Sequence, residues 1–333
     1  TIFSYLMGLS ISMFVVGMGT SIVVMELTRM YLSLKTGEPV FLEKRRKHIV
    51  TARFIPLIAV ILLLITVSTA GLYLDFDDIV PAKVKTDVVV HRLGGNYGPE
   101  NTIRGAEVSL DNGFTSLETD VQRARDGVYV INHDETFTRL CGVDRAVGDL
   151  ASEEISRLNI SYSDGNTYHP AMLEEVLDLC RERKAHLYLE MKGPSADHKM
   201  ADDMVAMIRE RDMLNQVTLI SLDYDLISYT EDTYPEFETG LLYFFAYGDQ
   251  ADLNCDVLII EEETGTRDVI SGIHYGGKKV MVWTVNTHAS AESVLIRDAD
   301  AVITDEPELV VEVKEKLAKR SDLKRLKDNI SIL

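Results

Sequence analysis

The hydrophobic and polar positions divide the chain into two parts with different patterns. Two long apolar runs, Ile2 to Met25 and Phe54 to Tyr73, lie in the first 80 residues. Each has the roughly 20 residues that a helix needs to cross a bilayer, and neither has a polar face of the kind that surface helices show. The pattern predicts two transmembrane helices in residues 1–80.

A basic segment between the two runs predicts their orientation. Lys44 to Lys47 are all basic, and short positively charged loops stay in the cytoplasm. The chain after the second helix is then expected outside the cytoplasm, as part of a multi-pass protein of the cell membrane. Small residues four apart, Gly8 and Ser12, suit packing against other membrane helices. We therefore interpret residues 1–80 as the end of a larger membrane domain with further helices upstream.

After Pro81, short β-branched runs alternate with helical stretches such as MLEEVLDLCRER, a pattern typical of βα units around a parallel sheet. Eight parallel strands in about 240 residues suit a closed α/β barrel of the (β/α)8 TIM type. The sequence therefore predicts this barrel in residues 81–333. Its strands are expected at Val88–His91, Ser116–Val121, His186–Lys192, Val217–Asp223, Thr239–Phe244, Asp256–Glu262, Lys279–Asn286 and Asp300–Asp305.

One further run, Val128–Asp134, does not fit the alternation. The short segment that separates it from the second strand, ending in ARDG, has too few residues for a parallel crossover. An Asp-Gly turn, here Asp126-Gly127, instead predicts an antiparallel hairpin. With these as the two turn residues, His133 is expected opposite Asp120, so that the extra strand brings this histidine back towards the second strand.

Two further segments lie outside the barrel pattern. Residues 135–185 form a long excursion before the next strand, and long excursions at a barrel rim usually shape a binding site. We therefore expect a rim insertion there. The C-terminal stretch VVEVKEKLAKRSDLKRLKDN predicts one final amphipathic helix.

Composition restricts the class of partner. The formal net charge is −19, and nearly all of the acidic excess lies after residue 80, which argues against nucleic-acid binding. An anionic substrate would be held only by a few local cations or by a metal, because the overall field repels it. Three scattered cysteines, Cys141, Cys180 and Cys255, are too few for a disulfide framework and are expected in the core, although one pair could form a bridge outside the cell.

Acidic residues alternate on two predicted strands. Glu118 and Asp120 share one face of their strand, as Glu190 and Lys192 do on theirs, because side chains two apart point the same way. Three buried carboxylates would be costly without compensation, and carboxylate oxygens are ligands for Mg²⁺ or Ca²⁺. The pattern favours a site for one divalent cation, with salt bridges to Arg92 and Lys192 as the alternative.

Two histidines complete the candidate chemistry. His91 ends the first strand and His133 is expected beside the second, and a pair of imidazoles can supply a general acid and a general base. Arg92 and Lys192 offer local positive charge for phosphate oxygens. In the loop RLGGNYG the glycines would let the backbone turn closely over an anion, and Glu100 is delivered to the rim, where it could orient a histidine or bind a hydroxyl.

At this point the sequence resembles a known family. The blocks HRLGGNYGPENT, LETDVQRARDGVYVINHDETFTR, LYLEMK, VWTVN and AVITDEP, in that order, are similar to the signature blocks of glycerophosphodiester phosphodiesterases. The resemblance implies a barrel, one divalent metal and cleavage of glycerophosphodiesters to glycerol 3-phosphate and an alcohol. In the mechanism it implies, the substrate's own 2-hydroxyl attacks phosphorus and gives a cyclic phosphate, which water then opens. By position it implies an acid–base pair (His91 and His133), metal ligands (Glu118, Asp120 and Glu190), phosphate contacts (Arg92 and Lys192), a further site residue (Glu100) and a glycerol-pocket wall (Trp283).

One position departs from the family pattern. Leu93 stands where the family usually has glycine, and it could narrow the phosphate loop or change the substrate preference. A related barrel phosphodiesterase acting on lysophospholipids or on polyglycerol-phosphate polymers is the alternative within enzymes. From another class, the chain could be a catalytically silent, membrane-anchored binding domain, for which Leu93 is the only indication.

Overall fold

The computed structural model describes residues 2–37, 47–74, 76, 80, 84–243 and 250–331. The chain forms two compact units. One comprises Thr1–Ala82 together with Arg320–Leu333, and the other comprises Lys83–Lys319. The C-terminal residues, which the sequence pattern placed with the barrel, therefore cluster with the first unit.

The helices and strands are numbered here in chain order. The helices are α1 (Ile2–Thr36), α2 (Lys47–Leu74), α3 (Ile103–Asp111), α4 (Thr138–Cys141), α5 (Ser152–Ile155), α6 (Leu173–Arg183), α7 (His198–Glu210), α8 (Tyr224–Thr233), α9 (Arg267–Tyr275), α10 (His288–Ile296), α11 (Pro307–Ala318) and α12 (Asp322–Ser331). The strands are β1 (Asp87–Val90), β2 (Ser116–Arg123), β3 (Tyr129–Ile131), β4 (Thr136–Phe137), β5 (Val143–Ala146), β6 (Ile160–Ser161), β7 (Thr167–Tyr168), β8 (His186–Met191), β9 (Val217–Ser221), β10 (Thr239–Tyr243), β11 (Val257–Glu261), β12 (Lys279–Trp283) and β13 (Ala301–Thr304).

The two apolar runs of the sequence fall on α1 and α2, which contact each other. Within the residues that the structure describes, neither these nor any other helix is at once long and apolar enough to cross a bilayer. The two predicted transmembrane helices therefore receive no support from the structure. Most of the predicted basic loop, residues 38–46, lies outside the described residues, and the predicted orientation and cell-membrane location stay predictions.

The C-terminal segment is two helices, where the sequence predicted one. The chain leaves the helical conformation between α11 and α12, and the Ser321 hydroxyl accepts a hydrogen bond from Lys324 N at the start of α12. A serine at this position competes for backbone groups and favours a new helix start over continuation. In the first unit α12 contacts the segment after α2, where the Arg325 guanidinium lies 4.9 Å from the centre of the Phe76 ring.

Eight parallel strands close into the predicted barrel. Their order is β1, β2, β8, β9, β10, β11, β12 and β13, and β13 pairs with β1 to complete the circle. The eight predicted strands coincide with these, apart from one to three residues at the ends, and Phe244 of the fifth lies outside the described residues. Within the described residues an α-helix follows each barrel strand except β10, and α6 follows β2 only after the hairpin and the excursion. These helices cover the outer faces of the strands, which is why the strands are apolar on both faces.

The core has two layers that follow the alternation of side chains along the strands. Residues such as Val89, Ile259 and Ile303 fill the interior of the barrel. Their neighbours, such as Leu117 and Leu189, are fully buried between the strands and the helices. The alternation therefore directs Glu118 and its inward-facing partners into the barrel, as the sequence pattern predicted. Cys180 and Cys255 lie in the outer layer, and all three cysteines are free thiols.

The predicted antiparallel hairpin is present, but its register differs by one residue. Strand β3 pairs Val121 with Ile131, so the residue opposite Asp120 is Asn132 and not His133. The reason is the turn, because Ala124 N donates to Val128 O and the loop therefore has three residues, with Gly127 at φ +87°. A three-residue loop with a left-handed glycine is a common hairpin closure and shifts the pairing by one.

The excursion between β3 and β8 has a small core of its own. It contains the two-stranded sheets β4–β5 and β6–β7 and the short helices α4 and α5. Phe137, Val147 and Ile155 are buried there against Val130 of the hairpin. This packing fixes the insertion to the hairpin, so that it is a defined part of the barrel rim.

Glycines in the loop after β1 permit contact between backbones. A Cβ atom on Gly94 would lie 2.8 Å from Gly98 O, one on Gly98 would lie 2.8 Å from the Gly105 Cα, and one on Gly105 would overlap the Pro99 carbonyl. The loop thus folds onto the first turn of α3, whose N-terminus is capped by the Thr102 side chain. The sequence suggested that these glycines approach an anion; the structure shows that they pack the loop on itself and on the helix.

Replacing Gly105 with alanine should therefore destabilise the barrel. The added methyl group meets backbone and not a flexible side chain, and such overpacking costs about 1–3 kcal/mol. Denaturant unfolding of Gly105→Ala should show this loss. Gly272, on α9, is the matched control because a Cβ there meets nothing within 4 Å. Gly272→Ala should be neutral or stabilise by up to about 1 kcal/mol, and equal effects of the two substitutions would contradict the packing role.

Candidate active site

The predicted site residues converge where the barrel strands end. The register of β1 and β2 brings His91 beside Glu118, and the register of β2 and β8 pairs Asp120 with Glu190. The structure thus brings one histidine and three carboxylates together at the carboxyl ends of three neighbouring strands. This is the end at which barrel enzymes have their active sites.

The three carboxylates form a buried cluster. Glu118, Asp120 and Glu190 are each at most 5 % exposed, and each offers an oxygen within 4.8 Å of the others. Burial and repulsion from Asp120 raise the pKa of Glu118 to about 7 and the pKa of Glu190 well above its usual value. Burial acts in the same direction on Asp120, but the Lys192 ammonium, 3.0 Å away, holds the pKa of Asp120 below its ordinary value.

The charges of this cluster are incompletely balanced by protein groups. Lys192 Nζ lies 3.0 Å from Asp120 and 3.7 Å from Glu190, whereas the Arg92 guanidinium is paired with Glu100 outside the cluster. Among the described residues, the buried Glu190 Oε1 has no hydrogen-bond donor. The Lys192 ammonium contacts Asp120 and Glu190, so salt bridges account for only part of the compensating charge. The oxygen donor set fits a divalent cation such as Mg²⁺ or Ca²⁺.

His91 is oriented by a carboxylate that the sequence reasoning did not assign. Its Nδ1 lies 2.7 Å from Asp305 Oδ1, and its Nε2 lies 3.8 Å from Glu118 Oε2. Burial lowers the pKa of His91, but Asp305 and Glu118 outweigh it and the net shift is upward. Asn286 donates to the other oxygen of Asp305 at 2.7 Å. Position is the signal that could have identified Asp305, because it follows the last strand at the same end of the barrel.

His133 reaches the site despite the shifted register of the hairpin. It lies just beyond β3 and lines the same cavity as His91 and Glu190. Its Nδ1 is 2.7 Å from Asp134 Oδ1, and since a carboxylate only accepts hydrogen bonds, Nδ1 carries the proton and Nε2 is left for the cavity. Burial lowers the pKa of His133, and nearby acids offset this only in part.

Glu100 lies at the rim, as the sequence predicted, but both of its oxygens are occupied by guanidinium groups. Arg139, on α4, donates to Glu100 Oε1 and Oε2 at 2.7 Å each. Arg92 Nη1 donates to Glu100 Oε1 at 3.3 Å. Glu100 therefore holds Arg92, where the sequence reasoning expected it to orient a histidine or bind a hydroxyl. Arg139 is a site contact that the sequence reasoning missed.

The backbone of the loop after β1 is unusual for its residue types. Arg92, Leu93 and Asn101 have positive φ angles of 51°, 66° and 56°, a region that costs non-glycine residues about 1–3 kcal/mol each. In return Arg92 N donates to Glu118 Oε2 at 3.0 Å, and Leu93 N donates to Glu118 O at 2.8 Å. The left-handed turn thus fixes a carboxylate of the cluster.

The backbone angle also explains why glycine would suit position 93. The Leu93 side chain is fully buried in the layer between strands and helices, and it is not among the described residues that line the cavity. Leucine therefore occupies a conformation natural to glycine and points its side chain into the core. The single indication of a catalytically silent domain is thereby removed.

A fully buried asparagine supports the cluster from behind. The Asn101 amide donates to Asp120 Oδ2 at 3.4 Å, and its carbonyl oxygen accepts from Thr119 Oγ1 at 3.0 Å. The N-terminus of α3 is capped by the next residue, Thr102, so Asn101 does not serve as the helix cap. A polar residue that is completely buried next to a functional group is recognisable only in the tertiary structure.

These groups surround a cavity of about 370 Å³ at the mouth of the barrel. Its lining combines charged side chains with the apolar side chains of Trp283, Leu242, Ile303 and Leu222. The predicted pocket residue Trp283 is therefore part of the same cavity as the two histidines. The cavity has the size and mixed character of a small-molecule site.

Comparison with known proteins agrees with this geometry. Residues 91–309, about two-thirds of the chain, match the model of the glycerophosphoryl diester phosphodiesterase family. A glycerophosphodiester phosphodiesterase of Caldanaerobacter subterraneus is 25 % identical over 245 residues, which cover 70 % of this chain and 99 % of that protein.

Solved structures show the same fold. The glycerophosphodiester phosphodiesterase of Agrobacterium tumefaciens superposes with a TM-score of 0.60 at 25 % identity, covering 68 % of this chain and 99 % of that one. A phosphodiesterase of Oleispira antarctica, solved in complex with the product sn-glycerol 3-phosphate, superposes with a TM-score of 0.63 at 22 % identity, covering 69 % of this chain and 96 % of that one. The chain therefore belongs to the glycerophosphoryl diester phosphodiesterase family and is a phosphoric diester hydrolase.

Proposed function

We propose that the chain hydrolyses glycerophosphodiesters to glycerol 3-phosphate and an alcohol, with one bound divalent cation and with His91 and His133 as the acid–base pair. The observation that carries the proposal is the single cavity in which both histidines meet buried carboxylates and the cations of Arg92 and Lys192. The product bound to the Oleispira antarctica phosphodiesterase supports glycerol 3-phosphate as the product here.

The cation would be held by the three carboxylates of the cluster, Glu118, Asp120 and Glu190. Their mutual repulsion in a buried site, which raises the pKa of two of them, is relieved when a divalent ion replaces protons as the compensating charge. A cation at this position would withdraw negative charge from a phosphoryl oxygen. Both Mg²⁺ and Ca²⁺ accept such a donor set.

Arg92 and Lys192 would bind the remaining phosphate oxygens. Both side chains line the cavity, and among the described residues the buried Arg92 Nε has no acceptor. A buried guanidinium N–H without an acceptor is costly, so an anionic oxygen in the cavity would satisfy it. These local cations offset the repulsion that an acidic chain of net charge −19 exerts on a phosphodiester.

The histidines would move one proton on each side of phosphorus. One imidazole takes the proton of the attacking hydroxyl as its oxygen bonds to phosphorus. The other gives a proton to the alcohol oxygen as its bond to phosphorus breaks, which leaves a cyclic phosphate of glycerol. Water then adds to phosphorus and the bond to the 2-oxygen breaks, with the two rings exchanging roles, which gives glycerol 3-phosphate. Each ring has a carboxylate on Nδ1, Asp305 for His91 and Asp134 for His133, which leaves Nε2 of both rings for these transfers. The glycerol carbons would pack on the apolar wall formed by Trp283.

A second candidate substrate class, lysophospholipids, is favoured by one observation. Leu222 lines the cavity and remains 45 % exposed, so it offers apolar surface next to the site. An acyl chain leaving the cavity over Leu222 would cover it. Polyglycerol-phosphate polymers are not favoured by any such feature in the described residues, and the predicted membrane location stays a prediction of the sequence.

Metal-dependent release of glycerol 3-phosphate from glycerophosphocholine tests the proposal. Activity should be lost with a chelator and restored by Mg²⁺ or Ca²⁺. His133→Ala should lower kcat by roughly 10²–10⁴-fold, the contribution of a general acid or base, and Glu190→Ala should abolish hydrolysis and the rise in Tm on adding the ion. His169→Ala, a rim histidine bonded to Leu158 O, is the control. Unchanged turnover in His133→Ala or Glu190→Ala would refute the assignment.

Asp305→Asn should impair His91 specifically. Removing the carboxylate removes a charge that stabilises the protonated imidazole, so the pKa of His91 should fall. The amide cannot accept from both His91 and Asn286, and kcat/KM should drop by about 100-fold or more. Asp300→Asn is the control, because Asp300 pairs with His274 at the opposite end of the same strand. Histidine titration by NMR and pH–rate profiles measure both effects, and an unshifted His91 would contradict the orienting role.

Leu222→Ser tests the second candidate. If the exposed side chain contacts an acyl chain, losing about 1 kcal/mol of apolar contact should lower kcat/KM for a lysophospholipid about fivefold relative to glycerophosphocholine. Val128→Ser, at the tip of the hairpin and 39 % exposed, is the control. A constant ratio of the two substrates in Leu222→Ser would leave glycerophosphodiesters of small alcohols as the substrate class.

A further inference from the structure

Arg139 connects two carboxylates of the site from the rim insertion. Its Nε donates to Asp134 Oδ2 at 2.7 Å, and Nη1 and Nη2 donate to the two oxygens of Glu100, also at 2.7 Å. All three bonds lie in the range of strong charge-assisted hydrogen bonds. The residue comes from α4, within the excursion that separates β3 from β8.

These contacts link His133 to Arg92, the arginine proposed to bind phosphate, through a series of charged side chains. His133 bonds to Asp134, Asp134 to Arg139, Arg139 to Glu100 and Glu100 to Arg92. Basic and acidic groups alternate along it, so each group is stabilised by its neighbours. The side chains are 22 % to 45 % exposed, which means that their geometry depends on these bonds more than on packing.

At one end, this series of ion pairs fixes the orientation of His133. Asp134 could rotate freely at the rim, but its Oδ2 is held by Arg139 while its Oδ1 accepts from His133 Nδ1. The guanidinium also keeps the carboxylate ionised, since it lowers the pKa of Asp134 against the effect of burial. An ionised and immobile Asp134 selects one tautomer and one ring orientation of the histidine.

At the other end, this series of ion pairs fixes the position of Arg92. Both oxygens of Glu100 accept hydrogen bonds from the terminal nitrogens of Arg139. These bonds restrict the position from which Arg92 can donate to Glu100. Without Arg139, Glu100 and Asp134 would be two anions near one another with no common cation, and they would repel each other.

We propose that Arg139 is a positioning residue of this active site, which sets His133 through Asp134 and Arg92 through Glu100 and so makes the rim insertion a working part of the catalytic centre. The inference rests on the proposed function for its kinetic consequences. The chemistry requires arginine, because three bonds in one plane match a guanidinium, whereas a lysine ammonium is a point donor that cannot span both carboxylates.

The insertion offers a matched control for a merely structural role. Arg145 is 45 % exposed, as Arg139 is, and it is likewise held by hydrogen bonds, to Glu154 and to Asp149 O. Its contacts stay within the insertion and do not reach the cavity. Removing Arg145 should thus affect the insertion without affecting the histidine or the phosphate contact.

Kinetics with the full chain and glycerophosphocholine test the proposal. Arg139→Gln should lower kcat by about 10- to 100-fold, since small displacements of catalytic groups cost this much, with little change in Tm. Arg139→Lys should recover only part of the loss, and Arg145→Gln should stay within about twofold of the parent. In a double-mutant cycle, Arg139→Gln and Asp134→Asn should be strongly non-additive, whereas Arg145→Gln and Asp134→Asn should be additive.

A readout without turnover separates this inference from the proposed function. NMR of the ring nitrogens should show His133 of the parent protonated on Nδ1 in one tautomer, and Arg139→Gln should mix the two tautomers while Arg145→Gln does not. A parent that hydrolyses no phosphodiester would refute the proposed function and leave this measurement to decide the positioning role. A parent-like tautomer in Arg139→Gln, or a kcat within twofold of an active parent, would overturn the inference.

Discussion

The burial of three carboxylates at the mouth of one barrel is the constraint on which the rest of the structure depends. Each of Glu118, Asp120 and Glu190 would be ionised in water, and moving such groups into the protein costs several kcal/mol each unless opposite charge compensates them. Lys192 supplies part of this compensation, and the remaining deficit makes the cluster a good site for a divalent cation. A barrel that folded around these acids for stability alone would be poorly designed, because apolar residues would cost less.

The backbone next to the carboxylate cluster adopts conformations that lower local stability. Arg92 and Leu93 adopt left-handed backbone conformations, and their N–H groups bond to Glu118 as a result. The close contact of Gly94, Gly98 and α3 holds the loop in this conformation. Strain in one turn is thus supported by tight packing in the next, which is a frequent arrangement at functional sites.

Acidic side chains orient the two histidines as well as form the candidate cation site. Asp305 and Asp134 each accept from the Nδ1 of a histidine, so that both imidazoles present Nε2 to the same cavity. The first of these carboxylates belongs to the barrel and is held by Asn286. The second lies at the rim and is held by Arg139 of the insertion. The two histidines of the proposed acid–base pair therefore depend on different parts of the fold.

Local patterns of the sequence determined the barrel, its eight strands and the inward-facing acids, because period-two alternation is a property of each strand by itself. They also indicated both histidines, Arg92 and Lys192, which lie at or near strand ends, and the family resemblance added Trp283. They did not determine the hairpin register, since the same residues around Asp126-Gly127 are compatible with a two-residue loop and with a three-residue loop. They did not show the break between α11 and α12 either, and the two apolar runs they indicated as membrane spans are helices without support for crossing a bilayer.

Only the tertiary structure decided the partners of the site groups. Asp305 lies 214 residues from His91, Arg139 lies 39 residues from Glu100, and Asn101 lies 19 residues from Asp120, so no local pattern pairs them. Hydrogen bonds between distant side chains depend on angles and distances that arise when the barrel closes and the insertion docks. The sequence by itself determined which chemical groups are available, and the closed fold decided which of them touch.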